Sequence, residues 1–236
     1  MPQYAYDAFA YEKRYRRVCE FGAEFWEEPI PTEALVKFLS KHESVKGLKA
    51  VEFGCGEGRD LVFLAKAGFN VIGVDTSRPA LTRAKQRFKK ENVDVDLLLA
   101  DVINLALRDG TFDMAVNIGC LNMMIVQDVR DRHLHESHRV LKNGCKCFSC
   151  NLAADQPTSV EEFYRKLGKQ PGTLTPRKVV VRGKEEEMVL PIIAAWPKSK
   201  EQYAAEFERA GFKIAQVEKE DTKPVGECWI LIAQKT

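Results

Sequence analysis

No stretch of this 236-residue chain approaches the roughly 18 consecutive apolar residues of a membrane span, so contact with a membrane is not expected. The amino terminus lacks a basic segment followed by an apolar one, and no secretory leader is expected either. Charge of one sign is not in excess. Lys plus Arg number 36 and Asp plus Glu 34, a formal net charge of +2, which excludes the global basic field that drives nucleic-acid affinity. The basic runs Arg14 to Arg17 and Lys85 to Lys90 alternate with apolar helical positions and read as solvated helix faces. The seven cysteines, at 19, 55, 120, 145, 147, 150 and 228, are odd in number and mostly in apolar strand contexts. That suits a reducing cytoplasm, where the chain is expected to reside, and not a disulfide framework. Cys147-Phe-Ser-Cys150 has C-x-x-C spacing, but within a strand residues three apart point to opposite faces. His133, His135 and His138 lack a carboxylate or cysteine to complete a ligand set, so no metal is expected.

What is present is enough for one substantial core: 45% of residues are apolar and 30% charged. Strand 48–53, helix 59–67, strand 70–75, helix 79–90, strand 95–100, strand 112–117, helix 129–141 and strand 145–151 alternate as β/α units do. Gly68 ends one helix, Ser77 to Pro79 opens another, and Asn143-Gly144 is expected to close a third. A later helix carries Tyr203, Phe207 and Ala210 and ends at Gly211. Strands 212–218 and 227–234 follow with no helix between them and must be antiparallel, joined around Thr222 to Gly226.

The most telling stretch is 51–60, Val-Glu-Phe-Gly-Cys-Gly-Glu-Gly-Arg-Asp: a strand ending in an acid, three alternating glycines, then a helix start. Gly54, Gly56 and Gly58 permit sharp turns and bring a ligand against bare backbone, with the next helix expected to offer free N–H donors. A dinucleotide fingerprint, G-x-G-x-x-G, would place its third glycine at Arg59, which is far too large. Asp75, ending the second strand, can accept two ribose hydroxyls and fits any nucleotide-like cofactor.

The pattern Glu52-Phe-Gly-Cys-Gly-Glu-Gly58 resembles motif I of the class I S-adenosylmethionine (SAM) dependent methyltransferases, small-molecule type, similar to the tellurite-resistance and thiopurine enzymes. Asp75, Asp101-Val102, Asn117-Ile118-Gly119-Cys120 and Arg139-Val-Leu-Lys-Asn-Gly144 follow in the family's order, with Asn143 where a proline is usual. The resemblance implies that SAM, leaving as S-adenosylhomocysteine (SAH), contacts Glu52, Gly54, Cys55, Gly56, Gly58, Arg59, Asp75, Thr76, Asp101, Val102, Asn117 and Ile118, with Tyr15 and Trp26 contributed from an amino-terminal cap. Asp101 would accept from the adenine amino group. Asn117, Cys120 and Asn122 lie near the expected methyl position, where no His or carboxylate dyad is evident.

The fold implied is α/β: a Rossmann-like, doubly wound, seven-stranded sheet with an antiparallel last strand, a helical cap and an inserted helix-hairpin lid. One domain is expected over 1–236, divided into cap 1–47, cofactor core 48–152, lid 153–199 and carboxy-terminal helix and hairpin 200–236. The cap is rich in aromatics (Tyr4, Tyr6, Phe9, Tyr11, Tyr15, Phe21, Phe25, Trp26), and Thr32 is read as the cap of its second helix. In the lid, Ser159 to Glu162 opens a helix ended by Gly168, Pro171 to Pro176 is a loop, and Val179–Val181 and Met188–Leu190 flank a turn at Gly183-Lys184. Methylation of adenine or glutamine amides is associated with an Asn/Asp-Pro-Pro-Tyr/Phe turn, from which Asn117 to Cys120 departs. A small-molecule acceptor is therefore expected, with nucleic acid excluded as a partner. A soft nucleophile (thiol, halide or metalloid) suits the missing base. A catalytically silent SAM-binding regulator, or an NAD-dependent oxidoreductase, is the alternative.

Overall fold

A computed structural model describes residues 6–23, 30–42 and 44–236. Its centre is a seven-stranded sheet made by β1 (Lys49–Phe53), β2 (Asn70–Asp75), β3 (Asp96–Leu99), β4 (Phe112–Ile118), β5 (Leu141–Leu152), β8 (Phe212–Thr222) and β9 (Gly226–Lys235). The spatial order is β3-β2-β1-β4-β5-β9-β8. The first five strands are parallel, and β9 runs antiparallel between β5 and β8. The helix-free turn 223–225 allows this reversal.

Strand residues alternate between two cores. On one face Ala50, Val116, Phe148 and Ile230 pack under α2 (Glu33–Leu39), α3 (Arg59–Ala67) and α4 (Arg78–Glu91). On the other, Val51, Phe53, Ala115 and Leu231 pack under α5 (Gln127–Val140) and α7 (Lys200–Arg209). Cys147 falls in the second core and Cys150 in the first, so C-x-x-C spacing brings no pair together here.

Local chemistry sets the element ends. Ser77 Oγ accepts from Ala80 N to start α4, and Ser199 with Gln202 forms a reciprocal capping box at α7. Two expectations are corrected. Thr32 occupies the cap position of α2, but its hydroxyl donates to Asp60 Oδ2 at 3.0 Å; the helix start is satisfied by Thr222 Oγ1 and Lys223 O from the β8–β9 turn. Asn143-Gly144 does not close a helix: α5 passes directly into β5 at Leu141, and Gly144 sits inside the strand at a register shift against β4. There Asn143 and Gly144, the latter at φ +78°, form an irregularity between the pairs Phe112–Leu141 and Met114–Lys146.

The remaining elements sit outside the sheet. α1 (Ala10–Glu20) buries Arg14, Tyr15 and Val18, and Glu12 Oε2 accepts the first N–H of α4, from Arg78, at 2.8 Å. α6 (Val160–Leu167) and the hairpin β6 (Leu174–Val181) and β7 (Lys184–Pro191) follow β5. Pro176 belongs to β6, not to the preceding loop, and the turn is Arg182-Gly183, both at positive φ, as a two-residue hairpin requires. The hairpin's inner face (Val179, Met188, Leu190) packs on Val18 and Ala23, joining it to α1. The strap leaving the hairpin is held by a buried ionic cluster. Arg130 makes two 2.7 Å bonds to Glu206, which also accepts Lys198 Nζ, and Lys198 lies 3.6 Å from the centroid of the Trp196 ring.

Candidate cofactor and acceptor site

The carboxyl ends of β1, β2 and β4 open into a cavity of about 1040 Å³, where an open α/β sheet is expected to bind ligands. Its inner wall is Gly54, Gly56, Arg59, Asp75, Thr76, Val102 and the turn 118–120. Its outer wall comes from α1 and the chain before it, and from residues 170–172 and 191–194 at the two ends of the hairpin. Met123, Met124, Ile125, Ile192 and Ile193 make much of the wall apolar.

The glycine loop is built differently from the expectation. Gly54 N and Cys55 N donate to Val74 O, Gly56 N to Asp75 Oδ2 and Gly58 N to Cys55 O. These four donors are therefore committed within the fold, and the missing side chain of Gly54 makes way for Cys120. At Gly54, with φ +68°, a Cβ would sit 2.8 Å from both Cβ and Sγ of Cys120. Asp75 Oδ1 meanwhile accepts Ser77 N at 2.8 Å, so one carboxylate ties the loop to the start of α4.

The electrostatics beside Cys120 are acidic. Burial first, then the charges of Asp75, Asp101 and Glu52, push the Cys120 thiol well above its ordinary value. Three carboxylates thus act on one point of the wall, and Cys120 stays a neutral thiol, which argues against a methyl-carrier role. The lining also carries Arg59 and Lys13, so the three carboxylates mark an acidic point beside Cys120 within a wall of mixed charge.

The structure divides the sequence-selected residues. Gly54, Gly56, Arg59, Asp75, Thr76, Val102, Ile118, Tyr15 and Cys120 line the cavity. Glu52, Cys55, Gly58 and Asp101 lie behind or beside that lining; a Cβ on Gly58 would meet Phe88 Cε1 at 2.6 Å, so that glycine serves the packing of α4 on the loop. Trp26 lies outside the described residues. Asn117 and Asn122, chosen as near the methyl position, are fully buried and do not line the cavity. Asn117 Nδ2 donates to His133 Nε2 at 2.8 Å and its Oδ1 accepts Leu121 N, while Asn122 Oδ1 accepts Leu152 N. They hold the turn from behind; Ile118, Gly119 and Cys120 make the floor.

Two residues escaped the sequence reading. His133, with no exposure, lies edge-on to Phe53 and donates through Nδ1 to Val102 O; these partners fix the tautomer, and burial pushes its pKa down to about 4. It reaches both Asn117 and Val102, linking two of the loops that line the cavity. Its only signal was the stripe Arg130, His133, Ser137, Val140 on the buried face of α5. Tyr6, counted only as one cap aromatic, donates to Asp101 Oδ1 at 3.0 Å. Among the described residues no group of three or more His, Cys, Asp or Glu could hold a metal.

Residues 50–144, which run from Ala50 in β1 through the glycine loop and β4 to the start of β5, match the family model described as a methyltransferase domain. Over these residues the chain is similar to a methyltransferase domain. Over 126 residues it is 31% identical to ribosomal protein L11 methyltransferase of Thermotoga neapolitana, covering 52% of this chain and 47% of that one. Over 104 residues it is 30% identical to an uncharacterized methyltransferase of Schizosaccharomyces pombe, covering 44% and 64%. The chain thus spans only about half to two thirds of these relatives, and the likeness concentrates on the methyltransferase core. A solved structure described under the conversion of a disulfide bond into a thioacetal group during echinomycin biosynthesis matches with TM-score 0.69 at 18% identity, covering 97% of this chain and 93% of the other. At that identity it shows the fold alone.

Proposed function

We propose that the chain binds SAM in the cavity and transfers its methyl group to a small-molecule acceptor enclosed by α1 and the hairpin. The observation that supports the reading is the group of carboxylates, Asp75, Asp101 and Glu52, that act together on Cys120 where the cavity meets the glycine loop. Asp75, already positioned by Gly56 N and Ser77 N, would hold the ribose, and Asp101 the adenine. Bound there, SAM supplies an electrophilic methyl group on a sulfonium cation.

The chain's residues would then align and enclose. Gly54 and Cys120 leave the floor open to the reacting centre, and Met123 to Ile125 with Ile192 and Ile193 keep water from it. Orientation and desolvation supply the acceleration. Among the described residues no His or Glu lines the cavity. Of its two Asp residues, Asp75 is engaged by backbone N–H groups, and Asp7 pairs with Lys13 at 2.9 Å. With no base placed for proton removal, the acceptor is a soft nucleophile such as a thiolate, a halide or a metalloid anion. In an apolar enclosure, the collapse of an anion and a sulfonium into two neutral products is favoured.

The relatives bear on the choice in both directions. Ribosomal protein L11 methyltransferase acts on a protein, whereas a toxoflavin-type N1-methyltransferase of Burkholderia thailandensis, of like fold (TM-score 0.58, 16% identity, covering 98% of this chain and 81% of that one), carries a small molecule in its structure. The roofed cavity favours the second kind. Labelled-methyl transfer from SAM to a panel of thiols, halides, metalloid oxyanions, amines, phenols and unfolded protein tests this. Label in one soft class is expected; label confined to protein or amines would overturn the acceptor assignment.

A further inference from the structure

Tyr6 reaches the cavity wall ahead of α1, and its ring packs against the core that lies under α5. Its hydroxyl donates to Asp101 Oδ1 at 3.0 Å, and Ile103 N donates to the same oxygen at 3.2 Å. Two donors converging on one oxygen set the plane of the carboxylate and leave Oδ2 as the oxygen a ligand would meet. Burial, with Asp101 beside it, pushes the Tyr6 phenol far above its ordinary value, so the hydroxyl remains a donor across the working pH range.

We propose that Tyr6 is a positioning residue for the adenine end of the cofactor: it clamps Asp101 Oδ1 so that Oδ2 accepts from the exocyclic amino group, and its ring closes the wall beside Val102. The inference rests on the SAM reading above and adds to it a residue outside the glycine-loop and strand-end motifs, supplied by the segment before the first helix. Cofactor selectivity then depends on the cap as well as on the sheet edge. Asp75 and the glycine loop fix the ribose end from within the core, whereas the base end is completed only when residues 6–10 lie in place. A packing role alone would make Tyr6 important for stability and indifferent to the base.

The test is calorimetric titration of the full chain with SAH and with S-inosylhomocysteine, in which a carbonyl oxygen replaces the amino group. The intact protein is expected to prefer SAH. Tyr6→Phe, which keeps the ring, is expected to weaken SAH about tenfold and leave the inosyl analogue unchanged, so the preference shrinks by the same factor. Asp101→Ala is expected to abolish the preference and to make Tyr6→Phe silent when the two are combined. Equal weakening of both ligands by Tyr6→Phe, or an undiminished preference, overturns the positioning role while leaving the SAM reading intact. Failure of the intact protein to bind SAH overturns both.

Discussion

The two walls of the cavity are made of different things. The inner wall is backbone: three glycines, strand ends, and an aspartate whose oxygens are taken up by N–H groups from the loop and from α4. The outer wall is formed by α1, the chain before it and residues 170–172 and 191–194, and is backed by side-chain packing of Val18, Ala23, Val179, Met188 and Leu190 in a small core apart from the two flanking the sheet. A backbone wall tolerates little change and leaves a spacing pattern in the sequence. A wall of packed aliphatic side chains tolerates exchange of one for another and can be recut for different acceptors. On the proposed reading, acceptor choice would rest with the outer wall, while the cofactor would be held mainly by the inner wall with Tyr6 added from the outer one.

Breaking the inner wall should have the largest effect. Asp75→Ala removes the acceptor for Gly56 N and Ser77 N together with the proposed ribose contact. SAH affinity is expected to fall by more than about a hundredfold in a calorimetric titration. Breaking the outer wall should separate the two functions. Replacing 174–191 by a short Gly-Ser linker is expected to reduce methyl transfer by at least about a hundredfold while SAH affinity changes only a few-fold. Unchanged transfer would show that the hairpin is no lid.

The support behind the inner wall can be sharpened through pH. His133 is held at about 4 against an ordinary 6.5. Between those values the folded state binds fewer protons than the unfolded one, so stability is present above pH 6.5 and is lost as pH falls toward 4. The loss should amount to about 3 kcal/mol over the whole window. His133→Gln should flatten that acid limb in denaturant titrations at pH 7 and pH 4.5. Gly58→Ala places a Cβ 2.6 Å from Phe88 at φ +74°, and about 2 kcal/mol of destabilisation is expected.

The same contrast explains what the sequence disclosed. The strand order, the antiparallel close and the glycine loop were legible because each leaves a mark of spacing: a run of strand residues, a Gly triplet, two strands with no helix between. Asn117 and Asn122 were misplaced because a motif locates the backbone of a turn, not the direction of its side chains. Both point behind the turn, where buried N–H groups and His133 needed partners. His133 and Tyr6 were hidden because their importance lies in partners 31 and 95 residues away, Val102 and Asp101. Thr32 was misread for a related reason: Asp60, 28 residues on, competed for its hydroxyl and won.

The central claim is that the cavity beside the glycine loop holds SAM and not a dinucleotide. Parallel titration of the intact protein with SAH and with NADH tests it most directly. Saturable binding of one SAH per chain with no binding of NADH is predicted; NADH binding in preference to SAH, or binding of neither, would contradict it.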